Sequence, residues 1–199
     1  MKLIKNIIIL NLLLLTFINN AHADLKDVEK FTFKFTSKIF EIIQKKTSID
    51  DIRKELIEEI SENININVTA KFVLGKYWKQ CNVTQQNYFK KIFKDYLILN
   101  YAPKFQGYND ESFNIIETKK LAPGKYSSKI KVSLSDNTNF EIILYIIEHD
   151  KKFKIVDIVG EGISFSATQR TEFYYIIKNN GIEKFLEILN QKVIKLKNS

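Results

Sequence analysis

Apolar residues along this chain recur first at helical spacing, then at strand spacing, then at helical spacing again. Val28, Phe31, Phe35, Ile39 and Ile42 return every three or four residues, which predicts an amphipathic helix. Ser48 or Asp50 is placed to cap a second helix carrying Ile52, Leu56, Ile57 and Ile60. Val68 to Gly75 reads as a short helix with Gly75 as its stop. In the next helix Phe89, Ile92, Phe93, Tyr96, Leu97 and Tyr101 share one stripe. Lys90, Lys91, Lys94 and Asp95 take the other side, and Pro103 and Gly107 end the element.

The period then changes to two. Phe113 to Thr118 is a first strand, and Pro123-Gly124 supplies a turn. Tyr126, Ser128, Ile130, Val132 and Leu134 alternate with Lys129 and Lys131, so this second strand has one wet face. Ser135-Asp136-Asn137 and His149-Asp150-Lys151 are further turns. They flank a third strand, Phe140 to Ile147, and lead to a fourth, Phe153 to Val159. Three short connections between four strands imply an antiparallel meander. After Gly160 and Gly162 come two helices separated by Gly181. The first carries Phe173, Ile176 and Ile177; the second carries Ile182, Phe185, Leu186, Leu189 and Val193. The fold class is α+β, with helices packed on a four-stranded antiparallel meander sheet. The third strand is apolar on both sides of its alternation, which implies cover on both faces. That cover is either a second helix layer or an apolar ligand on one face.

Ahead of the periodic region, Lys2 and Lys5 precede an apolar run from Ile7 to Ile18, and Ala21-His22-Ala23 follows. This is the pattern of a cleavable secretory signal, residues 1–23. The run is shorter than a membrane span needs. The mature chain then starts at Asp24 and forms one domain, residues 24–199, with no breaker-rich linker inside it. Export bears on the charge. The chain holds 31 Lys and Arg against 23 Asp and Glu, a net charge of +8. Two of those cations, Lys2 and Lys5, leave with the signal. Arg53 and Arg170 are the only arginines, and the lysines are spread out rather than clustered with aromatic platforms. The pattern excludes the familiar nucleic-acid modules and reads as a solvated lysine surface, able to meet anionic lipid heads or acidic proteins.

Reactive chemistry is sparse. His149 is the single histidine after the signal, so no multi-histidine metal site can form, and no cofactor is expected. Cys81 is the one cysteine, which implies either a buried, inert thiol or a bridge between chains. Asp157 and Glu161 are either a structural acceptor and a loop charge, or a pair of carboxylates for acid–base work. Gly160-Glu161-Gly162 lacks the residues of a phosphate loop. No catalytic set stands out, and the balance favours a binding protein. The alternative is a secreted small hydrolase or isomerase on a cone-shaped α+β scaffold. A third possibility is an envelope interaction module with a filled core.

Two blocks carry a resemblance. The first is Val73-Leu74-Gly75-Lys76-Tyr77-Trp78, followed by Thr84-Gln85-Gln86-Asn87-Tyr88-Phe89 and then Phe93, Leu97 and Tyr101. The second is Val156-Asp157-Ile158-Val159-Gly160-Glu161-Gly162-Ile163-Ser164, followed by Arg170 and Phe173. Over roughly residues 25 to 195 the chain resembles the MlaC family, also called toluene-tolerance or ABC-transporter auxiliary proteins. The resemblance implies a periplasmic phospholipid carrier of cone-like shape, with an apolar pocket between sheet and helices. Its partners would be phospholipid, an outer-membrane lipoprotein complex and an inner-membrane ABC transporter with its substrate-binding subunit. Its role would be to maintain outer-membrane lipid asymmetry. Phospholipid would be cargo, not cofactor.

Such a carrier must hide acyl chains whose exposure costs about 0.8 kcal/mol per CH₂, on the order of 20 kcal/mol for two chains. The candidate wall residues are Phe89, Phe93, Leu97, Tyr101, Val132, Ile142, Leu144, Ile146, Ile155 and Ile163. Each can equally be ordinary core. Arg170 is placed either to meet a lipid phosphate or to tie its helix to Glu161 or Asp157. Trp78 either lines the pocket or staples helices.

Overall fold

The computed structural model describes residues 25–45, 47–101 and 111–198, the side chain of Tyr101 excepted. The expected signal segment, residues 1–23, and the expected helix breakers Pro103 and Gly107 lie outside the described residues.

Helix α1 (Leu25–Ile43) buries Val28, Thr32, Phe35, Thr36, Ile42 and Ile43 along one side, as its three-and-four spacing requires. Ser48, rather than Asp50, caps α2 (Ile49–Asn63): its side chain accepts a hydrogen bond from Asp51 N at 3.2 Å. Asn65 does the same for α3 (Ile66–Leu74), accepting from Val68 N at 3.1 Å. Gly75 stops α3 with φ 48° and ψ −116°. A 3₁₀ turn (Gly75–Gln80) then leads into α4 (Val83–Tyr101).

The sheet is antiparallel in the order β1-β2-β3-β4-β5. Its strands are β1 (Ser112–Ala122), β2 (Lys125–Ser133), β3 (Asn139–His149), β4 (Lys152–Gly160) and β5 (Ile163–Ser164). The first four are the expected meander. The fifth is a two-residue addition: Glu161 (φ 49°) and Gly162 (φ 77°) reverse the chain so that Gly160 pairs with Ile163. Asp150 and Lys151 both take positive φ, the geometry of a tight hairpin turn between twisted strands. The last helical segment, α5 (Phe165–Lys197), departs from helical geometry at Gly181 (φ 77°, ψ 170°), so the expected break falls where it was read.

Apolar side chains gather in two main cores. Val28 and Phe35 of α1 pack against Tyr126, Ile130 and Val132 of β2, Leu144 and Ile146 of β3, and Ile155 of β4. A second core is helical, built from α3, α4 and both halves of α5. At its centre Phe89 and Phe93 stack at 5.1 Å, and Phe173 and Phe185 meet at 4.9 Å. A smaller cluster joins Ile42, Ile43, Ile52, Leu56 and Ile98.

The outward face of β3 differs from the expectation of full cover. Glu141 and Tyr145 are exposed there, while Ile143 and Ile147 are half-buried. Ile143 lies in register between Lys129 and Val159, and Lys129 reaches Glu141 at 2.8 Å. Cross-strand neighbours, including a lysine stem, shield this face partially, so its apolar residues need no full second layer.

Candidate functional site

The sheet and the helical core meet at β4. The junction of α2 and α3 is tied to that strand by Asn65 N donating to Ile155 O at 2.8 Å and Thr69 Oγ1 donating to Val156 O at 3.0 Å. Tyr145 pairs with Asp157 and Ile146 with Ile155, so Val156 is an extra residue in β4. Such a bulge kinks and twists its strand locally. Four consecutive residues, Ile155 to Ile158, consequently border one cleft, which a regularly alternating strand would not allow.

This cleft has a volume of about 390 Å³. Ile60 closes it from α2, Ile64 from the residue just after that helix, Thr69 from α3 and Leu97 from α4. Gly160, Ile163, Phe165, Ser166 and Thr168 complete it from the β4–β5 turn and the start of α5. Its volume and mainly apolar lining suit a small-molecule or acyl-chain site.

Asp157 sits in this wall, and its carboxylate is held by two backbone N–H groups and one hydroxyl. Oδ1 accepts from Ile158 N at 2.9 Å and from Ser166 N at 2.9 Å; Oδ2 accepts from Ser164 Oγ at 2.6 Å. Ser164 in turn caps α5 by accepting from Ala167 N at 3.0 Å. Asp157 thus serves as a second cap of α5, favourable at the positive end of a helix. Glu161 faces elsewhere, its Oε1 accepting from Glu141 N at 2.7 Å. Of the two open readings of these acids, the geometry is that of structural acceptors. Ser166 is different: it is 1% exposed, lines the cleft, and its hydroxyl has no hydrogen-bond partner.

Three of the ten candidate wall residues, Leu97, Ile155 and Ile163, border the cleft. Val132, Leu144 and Ile146 are buried in the core between α1 and the sheet, with Ile142 packed beside them. Phe89 and Phe93 are buried in the helical core. The side chain of Tyr101 lies outside the described residues. Sequence reasoning missed the other lining residues of β4, Val156, Asp157, Ile158 and Gly160, and also Ile60, Ile64, Thr69, Phe165, Ser166 and Thr168. The signal for the last three was their position directly after the Gly160-Glu161-Gly162 turn. Ile60 and Ile64 carried only the i, i+4 spacing shared by any helix face.

Arg170 lies one turn beyond Ser166 on α5. It pairs with neither Asp157 nor Glu161. Its guanidinium carbon is 5.2 Å from the centre of the Phe72 ring and 5.1 Å from that of Tyr174. Trp78 packs against the helical core, and its carbonyl accepts from Gln86 Nε2 at 3.0 Å, the arrangement of a staple. Cys81 is a buried free thiol, and burial pushes its pKa up, away from the reactive thiolate. Among the described residues, no group of His, Cys, Asp and Glu is arranged to hold a metal ion. None of their helices is long and apolar enough to cross a membrane.

The family model described as MlaC protein matches residues 34–191, from the middle of α1 into the last turns of α5. The chain belongs to the MlaC family. Among curated relatives it is similar to the intermembrane phospholipid transport system binding protein MlaC of Haemophilus influenzae. The two are 23% identical over 133 residues, which is 64% of this chain and 62% of that relative's length. Among solved structures it is similar to a phospholipid-binding protein from Ralstonia solanacearum, determined in complex with a phospholipid. The TM-score is 0.74 at 16% identity, covering 83% of this chain and 96% of that one. The likeness shows that the two chains share a fold.

Proposed function

We propose that this MlaC-family chain is a soluble periplasmic phospholipid carrier, exported by a signal that is removed before Asp24. It moves lipid between an outer-membrane lipoprotein complex and an inner-membrane ABC transporter with its substrate-binding subunit, and so helps to maintain outer-membrane lipid asymmetry. It works by burial rather than by covalent chemistry, and phospholipid is its cargo.

The observation that carries this reading is the apolar cleft between β4 and the helical core, bordered by Leu97, Ile155 and Ile163. Apolar chains leaving a membrane need such a wall, because burial returns about 0.8 kcal/mol for each CH₂ taken out of water. The commitment of Asp157 to three donors supports a binding role, since the cleft's carboxylate is already used to hold the start of α5. Family membership and the names of its relatives support the phospholipid assignment.

Purified protein should carry phospholipid through extraction, visible by native mass spectrometry and by thin-layer chromatography of the extract. Protein that is lipid-free as isolated, and that takes up no lipid from liposomes, would overturn the proposal.

A further inference from the structure

A cluster of aromatic rings and cations lies one helical turn from the cleft, along the seam between α3 and α5. Thr69 and Ser166 border the cleft across this seam. Phe72 and Arg170, three and four residues further along the same helices, touch each other, so the seam continues outward by about 6 Å. There the Arg170 guanidinium stands between the Phe72 and Tyr174 rings. Lys76 Nζ approaches the Tyr174 ring to 5.6 Å and the Tyr77 ring to 5.1 Å.

Both cations are held by rings rather than by acids. Among the described residues, neither charged group takes part in an ion pair or hydrogen bond with the protein, whereas the other arginine, Arg53, pairs with Asp50 at 3.2 Å. Ring stacking orients a guanidinium but uses none of its N–H donors. The Tyr174 hydroxyl accepts from Lys76 N at 2.9 Å, which leaves its own proton to donate. That approach depends on Gly75: a Cβ there would collide with the Tyr174 hydroxyl and lie 2.8 Å from an Arg170 Nη.

We propose that Arg170, Lys76 and the Tyr174 hydroxyl form a phosphate site at the rim of the cleft, and that it holds the head-group phosphate of the cargo. The inference rests on the carrier reading and adds to it the chemistry by which cargo is selected. Two cations and a hydroxyl donor suit a phosphate's oxygens, and the half-buried position of Arg170 strengthens the attraction over that of a surface lysine. The unpartnered Ser166 hydroxyl belongs to a cleft-lining residue one helical turn before Arg170, where an ester oxygen of the same lipid would fall. Chains, ester and phosphate then meet in order the cleft, Ser166 and Arg170. Asp157 does not compete for the cations, its oxygens being taken by Ser164 and two backbone N–H groups.

The test loads the full mature chain from vesicles holding equal amounts of phosphatidylethanolamine and a diacylglycerol with the same chains. A separate arm titrates inorganic phosphate alone. Wild type should take the phospholipid in preference by about tenfold, the discrimination expected of hydrogen bonds to a charged group. Arg170→Gln and the exposed-site Lys76→Gln should each remove most of that preference; the second variant guards against a folding defect from lost stacking at Arg170. Equal loading of the two lipids by wild type, or a preference that survives both substitutions, overturns the phosphate site and leaves the carrier reading standing. Wild type that binds inorganic phosphate through Arg170 but loads neither lipid sinks the carrier reading and the head-group assignment together.

Discussion

Asp157 shows how one side chain settles between two chemistries. In sequence it is a carboxylate near a turn, fit for either catalysis or support. In the fold its two oxygens hold Ile158 N, Ser166 N and the Ser164 hydroxyl, and so fasten β4 to the first turn of α5. Asp157→Ala should lower stability by about 1–2 kcal/mol, the usual cost of a lost cap, read from urea unfolding midpoints. Asp157→Asn, which keeps one acceptor, should cost less. Tyr126 makes a second residue-scale case. Its ring is fully buried and its hydroxyl donates to Glu148 Oε2 at 3.1 Å. Burial, and then the hydrogen bond to Glu148, raise its pKa above the ordinary value of 10.0. The neutral phenol is therefore favoured by folding. This contribution is whole below about pH 10, where the unfolded tyrosine ionises, and is lost as pH rises through the raised folded value. Wild type should lose stability in alkali more steeply than Tyr126→Phe, which has no phenol to ionise; parallel alkaline slopes in the two proteins would refute the account.

At the scale of elements, the difference between core and wall becomes visible. Phe93 sits in a ring cluster with Phe89 and Phe173, fully buried. Ile163 is 66% exposed at the cleft's edge. Both are apolar residues in strongly patterned segments, and no periodicity separates them. Phe93→Ala should cost about 3–5 kcal/mol in unfolding free energy, because the cavity it leaves cannot be refilled. Lipid per folded molecule should stay the same. Ile163→Asp should do the reverse: stability changes by less than about 0.5 kcal/mol, while lipid retained through extraction falls. The two variants measured side by side, by denaturation and by lipid content, separate the roles. The bulge at Val156 explains why such assignments escape pattern reading. A single extra residue changes which neighbours share a face, and the alternation that identifies β4 as a strand says nothing of where it is interrupted.

Across the whole molecule, local signals and long-range geometry divide the work. Helix spacing, Ser48, Gly75, the three hairpin turns and Gly181 were legible because each depends on residues close in the chain: a cap, a positive φ, a change of period. They sufficed for the α+β class, the meander order and the resemblance that family membership bears out. The short β5 was not legible, since two residues carry no period of their own and its pairing depends on the turn at Glu161 and Gly162. Nor was the cleft, whose walls come from α2, α3, α4, β4 and α5, segments up to about half the chain apart. Apolar residues look alike in sequence whether they face a packed core or an unfilled space, because the hydrophobic effect that selects them is non-directional. Arg170 is the same lesson for charge: composition counts it among the cations, while only the packing of α3 against α5 puts it between two rings, where it forms no ion pair with a described acid. The sequence by itself determined the elements and their class, through local dihedral and burial preferences. The tertiary structure alone decided which apolar residues were left bordering a cleft and which polar groups were left without partners, because both depend on what distant segments bring to the same place.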